Sequence, residues 1–180
     1  NIITHFKYIY MKAKNCLIFG GSGQIGRSLI RKLTKNNFRV TVVTRNLHQK
    51  SYIIKTQANA GYIEIVEANI FEEIKLRELF KKADICINLI GILYEKKGGN
   101  SFKNIHKVFP SLLAKLSKEY KLKHLIHISA LGINEASDSH YATSKLEGEN
   151  EVLKNFPLAT ILRPSIVYSV DDNFTTNFMT

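Results

Sequence analysis

Cysteine is scarce in this chain: Cys16 and Cys86 are the only two. Two cysteines without metal-ligand spacing exclude a disulfide framework and a cysteine-held metal. Each falls inside an apolar run and reads as a small core residue in a reducing compartment. His5, His48, His106, His124, His127 and His140 form no H-x-x-x-H pair, so no metal centre is expected. No apolar run approaches the roughly 18 residues that would span a bilayer. The opening "NIITHFKYIYMKAKN" is interrupted by His5, Lys7, Lys12 and Lys14, which excludes a secretory signal. Residues 1–14 read as an N-terminal extension, with the first methionine at Met11.

Acidic residues are also few, 15 against 26 Lys and Arg, for a net charge of +11. The excess is mostly lysine and is spread along the chain. Its densest groups, Lys81-Lys82 and Lys96-Lys97, are short and carry no interleaved stacking aromatics, so no nucleic-acid partner is expected. An acidic protein or a lipid surface remains open as a partner.

The 180 residues suit one domain, and 44% hydrophobic with 23% charged residues is ordinary for a soluble globular protein. Short β-rich runs at 15–20, 38–44, 62–68, 84–90, 124–129 and 158–163 alternate with helical stretches at 24–36, 72–82, 102–121 and 140–155. A weaker helical pattern covers 47–59. This alternation predicts an α/β fold, a doubly wound parallel sheet of Rossmann type with helices on both faces, over residues 15–180. Glu64 and Glu67 make the third strand the most edge-like. The last residues after the sixth strand carry no further element, so the C-terminal substrate portion of such a fold is expected to be absent or truncated.

"LIFGGSGQIG" follows the first strand and opens the first helix. Gly21, Gly23 and Gly26 spell G-x-G-x-x-G, whereas Gly20, Gly23 and Gly26 spell G-x-x-G-x-x-G. Either triplet allows a sharp turn and close approach of backbone N–H groups, with Gln24 and Ile25 in the helix opening, to a pyrophosphate. An NAD site places an acid about 20 residues later, against the ribose 2′-OH. Between Gly26 and Glu64 this chain has no acidic residue. The second strand ends instead in Thr44 and Arg45, and a guanidinium there suits a 2′-phosphate, favouring NADP(H) over NAD(H).

"YATSK" sets Tyr141 and Lys145 four residues apart, on one helix face. A neighbouring ammonium would favour the phenolate, lowering the tyrosine pKa and fitting Tyr141 for acid/base work beside a hydride transfer.

With these motifs the chain resembles the extended or atypical short-chain dehydrogenase/reductases, including epimerase/dehydratase-like members. "NLIG", "HISALG" and "RPSIVY" narrow the resemblance to the group formed by the NADPH-holding accessory subunit of respiratory complex I and its bacterial relatives. The likeness runs from Leu17 to Phe174. It selects the Gly20–Gly23–Gly26 register and leaves Gly21 as an extra small residue. It implies that Asn88, Leu89, Ile90 and Gly91 run along the cofactor, and that Lys145 faces the nicotinamide ribose. Pro164, Ser165 and Ile166 would close over the nicotinamide end. Asn69 stands where many relatives place an Asp against the adenine, and His106 where extended enzymes often carry Asn. After the fifth strand, Ser129-Ala130-Leu131-Gly132 offers one hydroxyl, Ser129, where the enzymes carry consecutive Ser/Thr.

Three readings follow. The chain is a cofactor-holding assembly or stabilising subunit, partnered by complex I subunits. Alternatively it is an active NADP-dependent oxidoreductase or nucleotide-sugar epimerase/dehydratase using Tyr141, Lys145 and Ser129. The third is a truncated, inactive gene product. The expected location is cytoplasmic or peripheral to the inner respiratory membrane.

Overall fold

A computed structural model describes residues 14–96, 100–165 and 167; the 1–10 stretch and most of the 1–14 extension lie outside them. Its elements run β1 (Asn15–Phe19), α1 (Gln24–Lys35), β2 (Arg39–Thr44), α2 (Leu47–Lys55), β3 (Ile63–Glu67), α3 (Glu73–Phe80) and β4 (Ile85–Asn88). A π-helical turn (Lys103–Val108) then leads into α4 (Phe109–Glu119), followed by β5 (His124–Ile128), α5 (His140–Asn155) and β6 (Thr160–Leu162).

The strands form one sheet in the order β3-β2-β1-β4-β5-β6, every pair parallel. β3 is an edge, as its two glutamates predict. Alternation along β1 sends Cys16 and Ile18 to one face, against Ile30 and Ile54 of α1 and α2. Leu17 and Phe19 go to the other, against Phe109 and Leu113 of α4. Both faces being covered explains the near-continuous Ile, Val and Leu of the strands. Cys16 and Cys86 are 1% and 0% exposed, and burial pushes the Cys16 thiol up to about 12. No described helix is long and apolar enough to cross a membrane. Nor does any group of three His, Cys, Asp or Glu among the described residues sit where it could hold a metal.

The expected 102–121 helix is built differently at its start. An α-helix there would require Pro110 to donate to the His106 carbonyl, which proline cannot do. The chain takes a wider π turn, and the freed carbonyl faces α5 at Gly148. A Cβ on Gly148 would lie 1.8 Å from that oxygen, so only glycine permits this helix approach. Gly148→Ala is expected to destabilise the fold by about 2–3 kcal/mol through overpacking, read from urea unfolding.

Candidate functional site

Neighbouring strands leave β1 in opposite directions, toward β2 and β4, which opens a crevice at the carboxyl ends of the strands. Gly20 begins the turn into it at φ +84°, a conformation side chains resist. Gly26 packs so closely that a Cβ would sit 2.6 Å from the Gly20 carbonyl. Gly21 is more than the extra small residue expected: a Cβ there would meet Val42 Cγ1 at 2.6 Å, so it seats the turn on β2. Gly23 has no comparable obstruction. It caps α1 without a side-chain hydrogen bond, leaving first-turn N–H groups as donors for an anion.

The crevice is a cleft of about 660 Å³ whose wall brings together Gly20, Gly23, Thr44, Arg45, Leu89, Ile90 and Gly91. Lys50, Asn100 and Ile105 also line it, and no carboxylate among the described residues does. Glycine where a dinucleotide's phosphates would pass, with a guanidinium beyond β2, fits a phosphorylated adenosine. Arg45 Nη1 donates to Asn100 Oδ1 at 2.8 Å.

Several predicted residues stand outside this wall. Asn69 Oδ1 accepts from Phe71 N at 3.0 Å, while its neighbours Ala68 and Ile70 line the cleft. Gln24 Nε2 reaches the Val167 carbonyl at 3.4 Å, and Ile25 is half-buried in the first turn of α1. Pro164 is half-buried and Ser165 exposed; Ile166 lies outside the described residues.

Beneath the cleft is a buried polar network that motif reading largely missed. Asn88, 1% exposed, accepts from Ile90 N at 3.1 Å and donates to His127 Nδ1 at 3.1 Å. That bond puts the His127 proton on Nε2, which is buried without a partner among the described residues. His106 Nε2 accepts from Ile92 N at 3.1 Å. Its Nδ1–H donates to Ser144 Oγ at 2.9 Å, because the Ser144 hydroxyl itself donates to the Tyr141 carbonyl. The His106 ring stacks on Phe102 and meets Tyr141 edge-on, at 5.3 and 5.4 Å between centroids.

Lys145, 4% exposed, donates to the Ile128 carbonyl at 2.9 Å. A Cβ on Gly91 would lie 3.7 Å from its Nζ, so the ammonium sits just behind the cleft wall. Burial lowers Lys145 to about 8, with Glu149 opposing the shift. Burial and the Lys145 charge together hold His106 at about 4 and His127 at about 3. Tyr141 departs from the expectation: burial raises its phenol, where a facing ammonium was expected to lower it.

Ser129 follows β5 directly, with its N–H on the Leu162 carbonyl at 2.7 Å. Its Oγ is buried and makes no well-formed hydrogen bond among the described residues, though it lies close enough to help hold the Glu149 carboxylate low. Burial resists that ionisation, and Arg163 overcomes it with a two-pronged pair at 2.9 and 2.5 Å. Glu149 was legible as the next turn of the Tyr141–Lys145 face. Asn100, in a loop, belongs to no motif.

The NmrA-like family matches residues 12–154. The chain belongs to the NmrA-like family. It is 26% identical over 155 residues to the mitochondrial NADH-ubiquinone oxidoreductase 40 kDa subunit of Neurospora crassa, covering 86% of this chain and 41% of that protein. Identity to the ceramide reductase of Caulobacter vibrioides is 26% over 158 residues, 88% of this chain and 48% of the relative. The chain thus spans less than half the length of either. Among solved structures, UDP-glucuronic acid 4-epimerase from Bacillus cereus in complex with NAD superposes with a TM-score of 0.72 at 23% identity. That match covers 86% of this chain and 57% of the other, and shows the Rossmann-type fold.

The lowered Lys145 pKa makes stability depend on pH. Between about 8 and its ordinary 10.5 the unfolded lysine binds a proton that the folded one has lost, so stability rises with pH there. Relative to Lys145→Met, the wild type is expected to gain stability from pH 8 to 10. Denaturant unfolding of both proteins across that range checks this, and parallel curves would contradict it.

Proposed function

We propose that this domain binds NADP(H) and holds it as a stabilising part of a larger respiratory assembly, with no turnover of a substrate. The observation that carries this reading is the cleft wall, which runs from the glycine turn to Arg45 without a carboxylate among the described residues. Gly20, Gly23 and the uncapped start of α1 would bind the pyrophosphate, assisted by Gln24, Ile25 and Gly26. Arg45, with Thr44 beside it, would take the 2′-phosphate. Asn69 and Asn88 act on the cofactor through the backbone they orient, as do Leu89, Ile90 and Gly91 along the wall. Lys145 keeps two donors after its bond to Ile128, and these would reach ribose hydroxyls. Pro164, Ser165 and Ile166 belong to the nicotinamide end.

A bound nicotinamide supplies or accepts a hydride, and catalysis would further need a proton donor and an oriented hydroxyl. Tyr141 holds its proton more tightly than a free phenol, and Ser129 is 5% exposed, with Ala130 and Leu131 next in line. An oriented donor of the missing kind contributes about 3 kcal/mol to a transition state. Similarity to the 40 kDa subunit supports the assembly role and a place at the inner respiratory membrane. The basic excess suits an acidic protein face or an anionic lipid surface.

A second reading, an active oxidoreductase or epimerase, draws on Lys145 Nζ behind Gly91 and on the likeness to a ceramide reductase. In it Tyr141 is the acid/base and Lys145 its support.

Titration by NAD(P)H fluorescence separates these claims. NADPH is expected to bind at least about tenfold more tightly than NADH, and Arg45→Ala to remove most of that difference. Equal affinities, unmoved by Arg45→Ala, would overturn the 2′-phosphate assignment. No turnover is expected over a panel of carbonyl and nucleotide-sugar substrates, and turnover lost in Tyr141→Phe would establish the second reading. Co-purification with respiratory subunits is the expected sign of the assembly role.

A further inference from the structure

The bond between Arg45 and Asn100 joins the end of β2 to the loop after β4, across the mouth of the cleft. Both residues line the 660 Å³ cleft and also an adjoining recess of about 300 Å³, so the pair stands between the two. Asn100 is itself tied back to its loop, its carbonyl accepting from Lys96 N at 3.0 Å. One guanidinium N–H is engaged, at 2.8 Å, and the group has four more.

The chemistry of the acceptor matters more than its presence. An amide oxygen orients a guanidinium without cancelling its charge, whereas a carboxylate of the same shape would do both. The surrounding charges point the same way. Lys50 lines the cleft, and Lys96 lines the recess with its ammonium 5.1 Å from the Tyr94 ring centre. Two carboxylates flank this end of the sheet, each holding a backbone N–H: Glu67, at the end of β3, accepts from Leu47 N at 2.9 Å, and Glu95 accepts from Phe102 N at 2.6 Å. Neither lines the cleft or the recess. The mouth therefore presents an oriented cation that forms no ion pair among the described residues.

We propose that Asn100 is a positioning residue for cofactor discrimination: its neutral amide oxygen fixes Arg45 at the cleft mouth with its charge free for a phosphate dianion on the adenosine ribose. The inference rests on the reading of the cleft as an NADP(H) site and adds a residue to it. Asn100 acts through Arg45, so its effect appears in the ratio of affinities for the phosphorylated and unphosphorylated cofactors.

The test is calorimetric titration of wild type, Asn100→Asp, Asn100→Ala and Arg45→Ala with NADPH and with NADH, thermal melts confirming each fold. Asn100→Asp is expected to cut the preference for NADPH about tenfold or more, since the carboxylate competes with the phosphate. Asn100→Ala should cut it about threefold, the loss of one orienting hydrogen bond. Raising salt should shrink the preference in wild type more than in Asn100→Asp, whose guanidinium is already neutralised. Should Asn100→Asp keep the wild-type ratio while Arg45→Ala loses it, the role of Asn100 is overturned and the cofactor reading stands. A wild type with no preference overturns both.

Discussion

Lys145 brings an ammonium into the interior at the carboxyl end of β5, and two neighbouring imidazoles feel it. Burial disfavours the charged form of each, and the neighbouring positive charge acts in the same direction, so His106 and His127 are held neutral. Neutrality matters because only a neutral imidazole has an acceptor nitrogen. His106 uses it on Ile92 N–H and His127 uses it on the Asn88 side chain. Those two bonds fix both ends of the segment that carries Leu89, Ile90 and Gly91. Burial, with the charge of Lys145 added to it, thus keeps both imidazoles as acceptors beneath a cleft whose wall they do not join.

The buried charge is tolerable for a structural reason. Lys145 donates to the Ile128 carbonyl, and Glu149, one helical turn on, offsets it from the same face of α5. Glu149 is tied in turn to Arg163, just before Pro164, whose carbonyl accepts from Leu131 N at 3.0 Å. Only the Glu149 side of this pair is buried, so removing Arg163 would strand a buried carboxylate. The chain after β6 is therefore anchored to the helix that carries Tyr141 and Lys145. The glycine at 148 makes this possible, since the π turn and α5 can approach closely only where no Cβ intervenes.

The sheet was legible because its physics is periodic: apolar runs covered on both faces, glutamates on the edge strand, glycines between β1 and α1. Arg45 was legible too, as a cation where an acid would otherwise stand. What escaped depended on burial or on contacts distant in sequence. Spacing put Tyr141 and Lys145 on one face but could not reveal that burial would set the direction of the phenol's shift. The fate of the Ser129 hydroxyl hung on whether β5 ended one residue earlier or later. Gly21 looked redundant in the turn because Val42, the side chain it makes room for, lies on another strand. Asn100 lies 55 positions from Arg45, a separation no local pattern spans.

The two ends of the cleft are held by different forces, and this divides their roles. At the end of β2 Arg45 is exposed and hydrogen-bonded to the neutral Asn100, so its attraction for an anion is screened by salt. Beneath the other end Asn88, His106, His127 and Lys145 are buried and hydrogen-bonded, so they define geometry and respond little to ionic strength. Exposed charge stands at the first end and a buried hydrogen-bonded network at the second. A catalyst needs a mobile proton and an exposed hydroxyl at the second end, whereas here the phenol is desolvated and the serine is enclosed. On the proposed reading, such a division of forces suits a domain that retains a dinucleotide better than one that repeatedly exchanges it.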